Sequence, residues 1–252
     1  MSSRAELVLA LDALLQPERF RDYGPNGLQV EGRATVGKIV SGVTASRALI
    51  ENAIAEHADA ILVHHGLFWR GQDACVTGWI KQRLALLLAH DINLLAYHLP
   101  LDAHPELGNN AQLGHRLGLV CQARFGEQDL GCLGEPVEGT FFASAADLAA
   151  HLEAVLGRAV TCVDPLRQPI RRIAWCSGGA QGYFEAAIAA GAQAFITGEI
   201  SEPQAHLARE CGVAYLACGH HASERYGASA VAAHVAQQLG LQHVFIDIDN
   251  PA

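Results

Sequence analysis

Short apolar runs typical of β-strands alternate along this chain with longer segments whose apolar residues recur at helical spacing. In the first half, the pattern predicts elements in the order strand, helix, strand, helix, strand over residues 38–43, 45–56, 60–63, 79–89 and 93–97. Strands joined in this way by helices pair in parallel through right-handed crossovers. The first half therefore predicts a parallel βαβαβ core.

The same order recurs in the second half, where the predicted elements span residues 172–176, 181–190, 194–197, 202–211 and 213–218. We interpret this recurrence as a cryptic duplication. Another helix is predicted from Ser144, which can cap it, to Leu156, with Gly157 ending it.

We therefore predict an α/β fold of two similar lobes, each with a mostly parallel βαβαβ core. The first lobe is placed at residues 1–125, joined by the C-terminal strand within 243–252, and the second lobe at residues 126–242.

Composition limits the possible partners. Half of the 252 residues are hydrophobic, only 17% are charged, and the net charge is −9. A phosphate-backbone binder needs clustered cations, and no run rich in Lys or Arg is present, so neither nucleic acid nor an anionic membrane is expected as a partner. No apolar stretch approaches the ~20 residues needed to span a bilayer.

A cytoplasmic location is expected from the N-terminal segment and the cysteines. Glu6 and Asp12 interrupt what would be the apolar centre of a signal peptide, and Ser3 with Glu6 instead fits a capping box that opens a helix. The seven cysteines are an odd number, and no two of them form a C-x-x-C pair. This pattern argues against a disulfide framework and against a thiolate zinc site.

Metal-ligating residue types cluster where the predicted strands end. Because ligand sites of parallel α/β sheets form beyond the carboxyl ends of strands, these positions are the candidates for chemistry. The residues found there are His64, His65, His98, Asp102, Glu199, His220 and Glu224. Any one of them alone is more often a satisfied or surface residue, but their joint placement predicts a metal cleft between the two lobes.

Spacing supports this interpretation. His220 and Glu224 are four residues apart, which places them on one face of a helix. His98 and Asp102 have the same spacing, but Pro100 predicts a loop there. Such nitrogen and oxygen ligands without cysteine suit two divalent ions per chain, from among Zn, Mn, Fe, Ni and Co.

Two glycine motifs are alternative candidates for a ligand site. Residues 32–38 match G-x-x-x-x-G-K, but a strand rather than a helix follows them, so we reject a phosphate loop. Residues 177–180 open a predicted helix and are interpreted as a tight turn rather than an anion site.

Five segments together resemble the Nif-three-like family of dinuclear metal-centre proteins, whose members often carry the label GTP cyclohydrolase 1 type 2 homologue. The segments are residues 25–32 (PNGLQVEG), 63–66 (VHHG), His98 with Asp102, 196–199 (ITGE) and 219–225 (GHHASER). The resemblance runs in order from about Tyr23 to the C-terminus.

The resemblance implies a set of metal ligands, which are His64, His65, Asp102, His220 and Glu224. It implies that His98 lines the site, and Glu199 stands where relatives often have Asp. It also implies a homohexameric toroid with metal sites that face its interior. His221 departs from the aromatic residue usual at that position, but the spacing to Glu224 favours His220 as the ligand.

We predict a metal-dependent hydrolase of unknown substrate, with His98 and Glu199 as catalytic proton carriers. GTP cyclohydrolase activity rests on the family label alone. The alternative is a non-catalytic metal-binding scaffold or regulator of other proteins. Redox chemistry at a di-iron centre is permitted by the same ligand types.

Overall fold

The computed structural model describes residues 1–137, 140–165 and 168–252. The chain divides into two compact units. Unit 1 comprises Met1–Gly108 and Gly227–Asp249, and unit 2 comprises Asn109–Tyr226 and Asn250–Ala252. Within the described ranges, every helix is too short or too polar to cross a membrane.

The elements are numbered along the chain. The helices are α1 (Arg4–Leu15), α2 (Arg47–Ala55), α3 (Gly78–Ala89), α4 (Leu99–Ala103), α5 (Asn109–Arg116), α6 (Ala145–Leu156), α7 (Phe184–Ala189), α8 (Glu202–Cys211), α9 (His220–Glu224) and α10 (Gly227–Leu239). The strands are β1 (Ser2–Ser3), β2 (Gly27–Val30), β3 (Thr35–Val36), β4 (Lys38–Thr44), β5 (Ala60–His65), β6 (Asn93–Ala96), β7 (Leu119–Phe125), β8 (Gly131–Pro136), β9 (Thr161–Val163), β10 (Ile173–Trp175), β11 (Ala194–Thr197), β12 (Ala214–Ala217) and β13 (Gln242–Phe245).

Unit 1 is built on a sheet with the strand order β13-β4-β5-β6-β2. The first four strands are parallel and β2 is antiparallel to β6. Buried apolar side chains cover both faces, with Val40, Ile61 and Leu94 in one cluster and Ile39 and Leu62 in another. Because parallel strands need helices on both faces, the near-continuous apolar runs of β4 and β5 fit this position.

Unit 2 is built on a sheet with the order β7-β8-β10-β11-β12-β9. Only β10, β11 and β12 are parallel, while β7, β8 and β9 pair antiparallel. The expectation of a mostly parallel core therefore describes the centre of this sheet and not its edges. The antiparallel hairpin of β7 and β8 follows from a short connection, which cannot carry a crossover helix.

The division into units differs from the predicted lobes at three places, one of which is the C-terminal Asn250–Ala252 in unit 2. Residues 109–125 lie in unit 2, because β7 forms a hairpin with β8. Helix α10 lies in unit 1, because its residues Val231 and Val235 pack with Leu7 and Leu11 of α1. The C-terminal strand β13 pairs in parallel with β4 in unit 1.

The predicted N-terminal caps of α1 and α6 are confirmed. Ser3 and Glu6 form the capping box of α1, and Ser144 accepts a hydrogen bond from the Asp147 backbone at the start of α6. The prediction of a loop around Pro100 was wrong, since α4 begins at Leu99. Proline is tolerated in the first turn of a helix, where its missing N–H would have no intrahelical partner.

Candidate metal centre

Three histidines of unit 1 converge at the carboxyl ends of β5 and β6. His64 and His65 end β5, and His98 precedes α4. One ring nitrogen from each histidine lies within 4.8 Å of the others, a spacing that could hold a metal ion. In addition, Nε2 of His64 lies 3.6 Å from Oδ1 of Asp102. These four residues are called the unit 1 ligand group.

Each imidazole of this group is held through Nδ1. The partners of Nδ1 are the Tyr97 carbonyl oxygen for His64 (3.2 Å), Thr44 Oγ1 for His65 (3.1 Å) and Asp22 Oδ1 for His98 (2.7 Å). Because a metal-ligating histidine commonly donates its other ring N–H to such a partner, Nε2 is the nitrogen that each can offer to an ion.

Asp22 and Asn26 both contact His98, and neither contact was predicted from the sequence. The side chain of Asp22 is only 3% exposed. Burial opposes its ionisation, but hydrogen bonds from His98 and Asn26 lower its pKa below the ordinary value. Asn26 lies in segment 25–32, which carries part of the family resemblance. Asp22 lies outside that segment, and no sequence pattern marks it as the partner of a histidine.

Unit 2 supplies a second set of ligand types. His220 and Glu224 lie on the short helix α9, and Glu199 follows β11. Nδ1 of His220 lies 2.7 Å from Oε1 of Glu199, and its Nε2 lies 3.3 Å from Oε2 of Glu224. Burial alone would lower the pKa of His220, but the carboxylates of Glu224 and Glu199 raise it to about 9. These three residues are called the unit 2 ligand group.

Glycines make room for the unit 2 ligand group. Gly178 has φ +68°, and a Cβ atom there would overlap the Glu224 carboxylate. At Gly198 a Cβ atom would come within 2.5 Å of the His220 Cα atom. The turn at 177–180, which was predicted only as a strand-to-helix turn, is therefore packed directly against two candidate ligands, Glu224 and His220.

Aromatic side chains lie beside the unit 1 ligand group. The Trp69 ring is perpendicular to the His98 ring, with centroids 5.1 Å apart, and the Tyr23 and His98 centroids are 6.0 Å apart. Tyr23 is 58% exposed. A small cavity lined by His64, His98 and Trp69, among others, opens at this position.

The donor set fits divalent metal ions. Imidazole nitrogens and carboxylate oxygens are the ligands that Zn, Mn, Fe, Ni and Co accept in proteins. Every described candidate ligand lies in one of the two groups, and Glu224 and His64 are buried. His221 is buried beside His220, and its backbone N–H donates to the carbonyl oxygen of Ala252.

Comparison with known proteins gives matches over the whole chain. The family model described as Duf34/NIF3 (NGG1p interacting factor 3) matches residues 2–251. A Neisseria meningitidis serogroup A protein named GTP cyclohydrolase 1 type 2 homolog is 52% identical over 252 residues, covering 100% of both chains. A Pseudomonas aeruginosa protein of the same name is 51% identical and covers 98% of this chain and 97% of its own.

Solved structures are also similar. The protein ybgI, whose function is described as unknown, has a TM-score of 0.95 at 45% identity and full coverage of both chains. The crystal structure of TTHA1606 from Thermus thermophilus has a TM-score of 0.89 at 34% identity, again with 100% coverage of both chains. These likenesses confirm the predicted α/β fold class.

Proposed function

The chain belongs to the Duf34/NIF3 family, and from that premise we propose that it is a metal-dependent hydrolase with a dinuclear centre. The proposed ligands are His64, His65 and Asp102 of the unit 1 ligand group, with His220 and Glu224 of the unit 2 ligand group.

The observation that carries the proposal is the way the imidazoles are held. Carbonyl, hydroxyl and carboxylate oxygens fix Nδ1 of His64, His65, His98 and His220. Ordinary surface histidines do not need such partners, whereas metal-ligating histidines almost always have them, because the partner fixes the tautomer and the ring orientation.

A bound divalent ion supplies Lewis acidity, which lowers the pKa of water and stabilises negative charge on oxygen. The residues of the chain have separate tasks. His98 is assigned to proton transfer, because its ring lies in the unit 1 ligand group and is 19% exposed. Oε1 of Glu199 is bound to His220, which supports a positioning role for this carboxylate. That Glu199 transfers protons stays a prediction.

The substrate class is addressed by a panel rather than by a single compound. The name of the relatives, GTP cyclohydrolase 1 type 2 homolog, places GTP first in that panel. Phosphoesters and cyclic amides belong in it as well, because metal-activated water attacks both kinds of electrophile. The low cationic content argues against tight binding of a triphosphate.

The experiment is elemental analysis of protein purified without a histidine tag and reconstituted with Zn, Mn or Fe. We expect about two metals per chain in the wild type, and a content that is halved or lost in His220→Ala and Glu224→Ala. The matched control is His206→Ala, since His206 and Glu202 form an exposed pair with the same four-residue spacing. A wild type that takes up no metal would contradict the proposal.

A further inference from the structure

The hydrogen bonds of Asp22 determine which ring nitrogen of His98 carries the proton. Oδ1 of Asp22 accepts a hydrogen bond from the Tyr23 backbone (2.6 Å) and lies 2.7 Å from Nδ1 of His98. Its Oδ2 accepts hydrogen bonds from Asn26 Nδ2 and from the Leu99 backbone, both at 2.9 Å. Every polar neighbour of the carboxylate in this set is a nitrogen.

The orientation of the Asn26 amide is fixed independently of Asp22. Oδ1 of Asn26 accepts a hydrogen bond from the backbone N–H of His98 at 2.7 Å. A backbone N–H can only donate, so the amide nitrogen of Asn26 must be the atom that faces Asp22. The same reasoning applies to the backbone N–H of Leu99, which also can only donate.

His98 is the one neighbour of Asp22 whose role depends on its tautomer. An ionised carboxylate only accepts hydrogen bonds, so Nδ1 of His98 must carry the proton. In the neutral imidazole, Nε2 then holds the lone pair. A ring nitrogen of His98 lies within 4.8 Å of those of His64 and His65, and because Nδ1 is bound to Asp22, we infer that Nε2 is the nitrogen free to act in this group.

We propose that Asp22 is a positioning residue that holds His98 in the Nδ1–H tautomer and so presents its Nε2 to the unit 1 ligand group. Asn26 supports this role by bracing both the Asp22 carboxylate and the His98 backbone. The part of the inference that concerns metal rests on the proposed function. The part that concerns the tautomer does not, because it follows from the hydrogen bonds around Asp22 alone.

Asp22→Asn gives a sharp test, because an amide cannot satisfy the same four neighbours. In place of Oδ2, its NH₂ group would face two obligatory donors, Asn26 Nδ2 and Leu99 N. If the NH₂ group instead replaces Oδ1, it can donate a hydrogen bond to Nδ1 of His98. That bond requires the His98 ring to carry its proton on Nε2. An asparagine in a histidine–carboxylate pair is known to select the wrong tautomer in this way.

The measurement is magic-angle-spinning ¹⁵N NMR of metal-free, full-length protein labelled at histidine nitrogen, at a pH where His98 is neutral. The chain has 13 histidines, so the His98 signals are identified by their loss in His98→Gln. We expect the Nδ1–H tautomer in the wild type and the Nε2–H tautomer in Asp22→Asn. Unchanged signals of His64, which is held by the Tyr97 carbonyl, verify that the fold is intact.

Metal affinity is the second measurement, and zinc is the probe. We expect Asp22→Asn to weaken zinc binding by about 10–100-fold, because a proton on Nε2 of His98 would lie beside the ring nitrogens that His64 and His65 are proposed to offer to the ion. The matched control is Glu202→Gln, which makes the same chemical change next to the exposed His206 and should leave the affinity unchanged.

The two measurements separate the two proposals. If wild-type His98 carries its proton on Nε2, or if Asp22→Asn leaves the tautomer unchanged, the role of Asp22 is overturned. If the tautomer changes as expected but the wild type binds no zinc, the proposed function fails and the tautomer assignment stands. If the tautomer changes and zinc affinity does not, Asp22 has no positioning role toward the ligand group.

Discussion

Gly178 and Glu224 are in such close contact that position 178 has no space for a side chain. A Cβ atom there would overlap Oε1 of Glu224 and stand 3.2 Å from Nε2 of His220. The carboxylate and the imidazole are two of the proposed ligands. The backbone at Gly178 therefore sets how the Glu224 side chain can lie.

Gly178→Ala is expected to reduce metal content by displacing the Glu224 carboxylate. The strained backbone should also destabilise the fold by about 1–2 kcal/mol, because φ is +68°. Elemental analysis and denaturant unfolding measure the two effects.

Two controls separate strain from displacement. Gly157→Ala has the same kind of strain, with φ +72°, but no atom within 4 Å of the added methyl. Gly182→Ala has neither a positive φ nor a neighbour within 4 Å. Full metal content in Gly178→Ala, or an equal loss in Gly157→Ala, would show that the Glu224 contact does not matter.

Thr44→Val should weaken metal binding about 10–100-fold, because it removes the hydroxyl 3.1 Å from Nδ1 of His65 while keeping the side-chain shape. Competition titration with a chromophoric chelator measures the affinity. Thr161→Val, at an exposed position of β9, is the matched control. Equal affinities in wild type and Thr44→Val would show that the Thr44 hydroxyl does not contribute to metal binding.

Acid should destabilise the metal-free protein partly through His243. Burial lowers the pKa of His243 from its ordinary value of 6.5, and its Nε2 lies 2.7 Å from Oγ of the buried Ser41. The unfolded chain then takes up a proton at a higher pH than the folded chain does. The free energy of unfolding should therefore fall as the pH drops below about 6.5 and toward the pKa of the folded state.

The measurement for His243 is denaturant unfolding in chelator at pH 8 and pH 5. His243→Gln should show a smaller loss of unfolding free energy between the two pH values than the wild type. Identical losses in wild type and His243→Gln would refute this assignment.

We propose that the chain assembles as a homohexamer, as the family resemblance implies. Light scattering after size exclusion should then give a mass about six times the chain mass of 26.8 kDa. A monomer mass at micromolar concentration would rule the hexamer out.

The sequence predicted the elements that carry the site because they have strong local signals. The predicted bounds of β11 and α8 match the structure, and the histidines do lie at the ends of β5 and β6. Apolar runs flanked by polar residues make strand ends easy to locate. The candidate ligands could be identified because they lie at the ends of predicted strands.

The contacts that orient the imidazoles could not be predicted in the same way. Asp22 and His98 are in contact although 76 residues separate them in the sequence. Hydrophobic periodicity predicts helices and strands but not which distant side chain a carboxylate contacts. Thr44 is indistinguishable by pattern from other threonines in strands. The antiparallel pairing of β7, β8 and β9 was not predicted, because these strands lie outside the repeated βαβ pattern from which the parallel arrangement was inferred.

The interrupted course of unit 1 along the chain has a consequence for synthesis on the ribosome. Strand β13 and helix α10 complete its sheet and core, yet they follow the whole of residues 109–226 of unit 2. Domains usually fold in the order in which they emerge, N-terminal first. Here the unit that begins the chain cannot close until residue 245 has been translated, whereas residues 109–226 can form their own core before that. We therefore expect the apolar faces of β4 and α1 to stay incompletely covered for most of translation, and unit 2 to fold before unit 1 is complete.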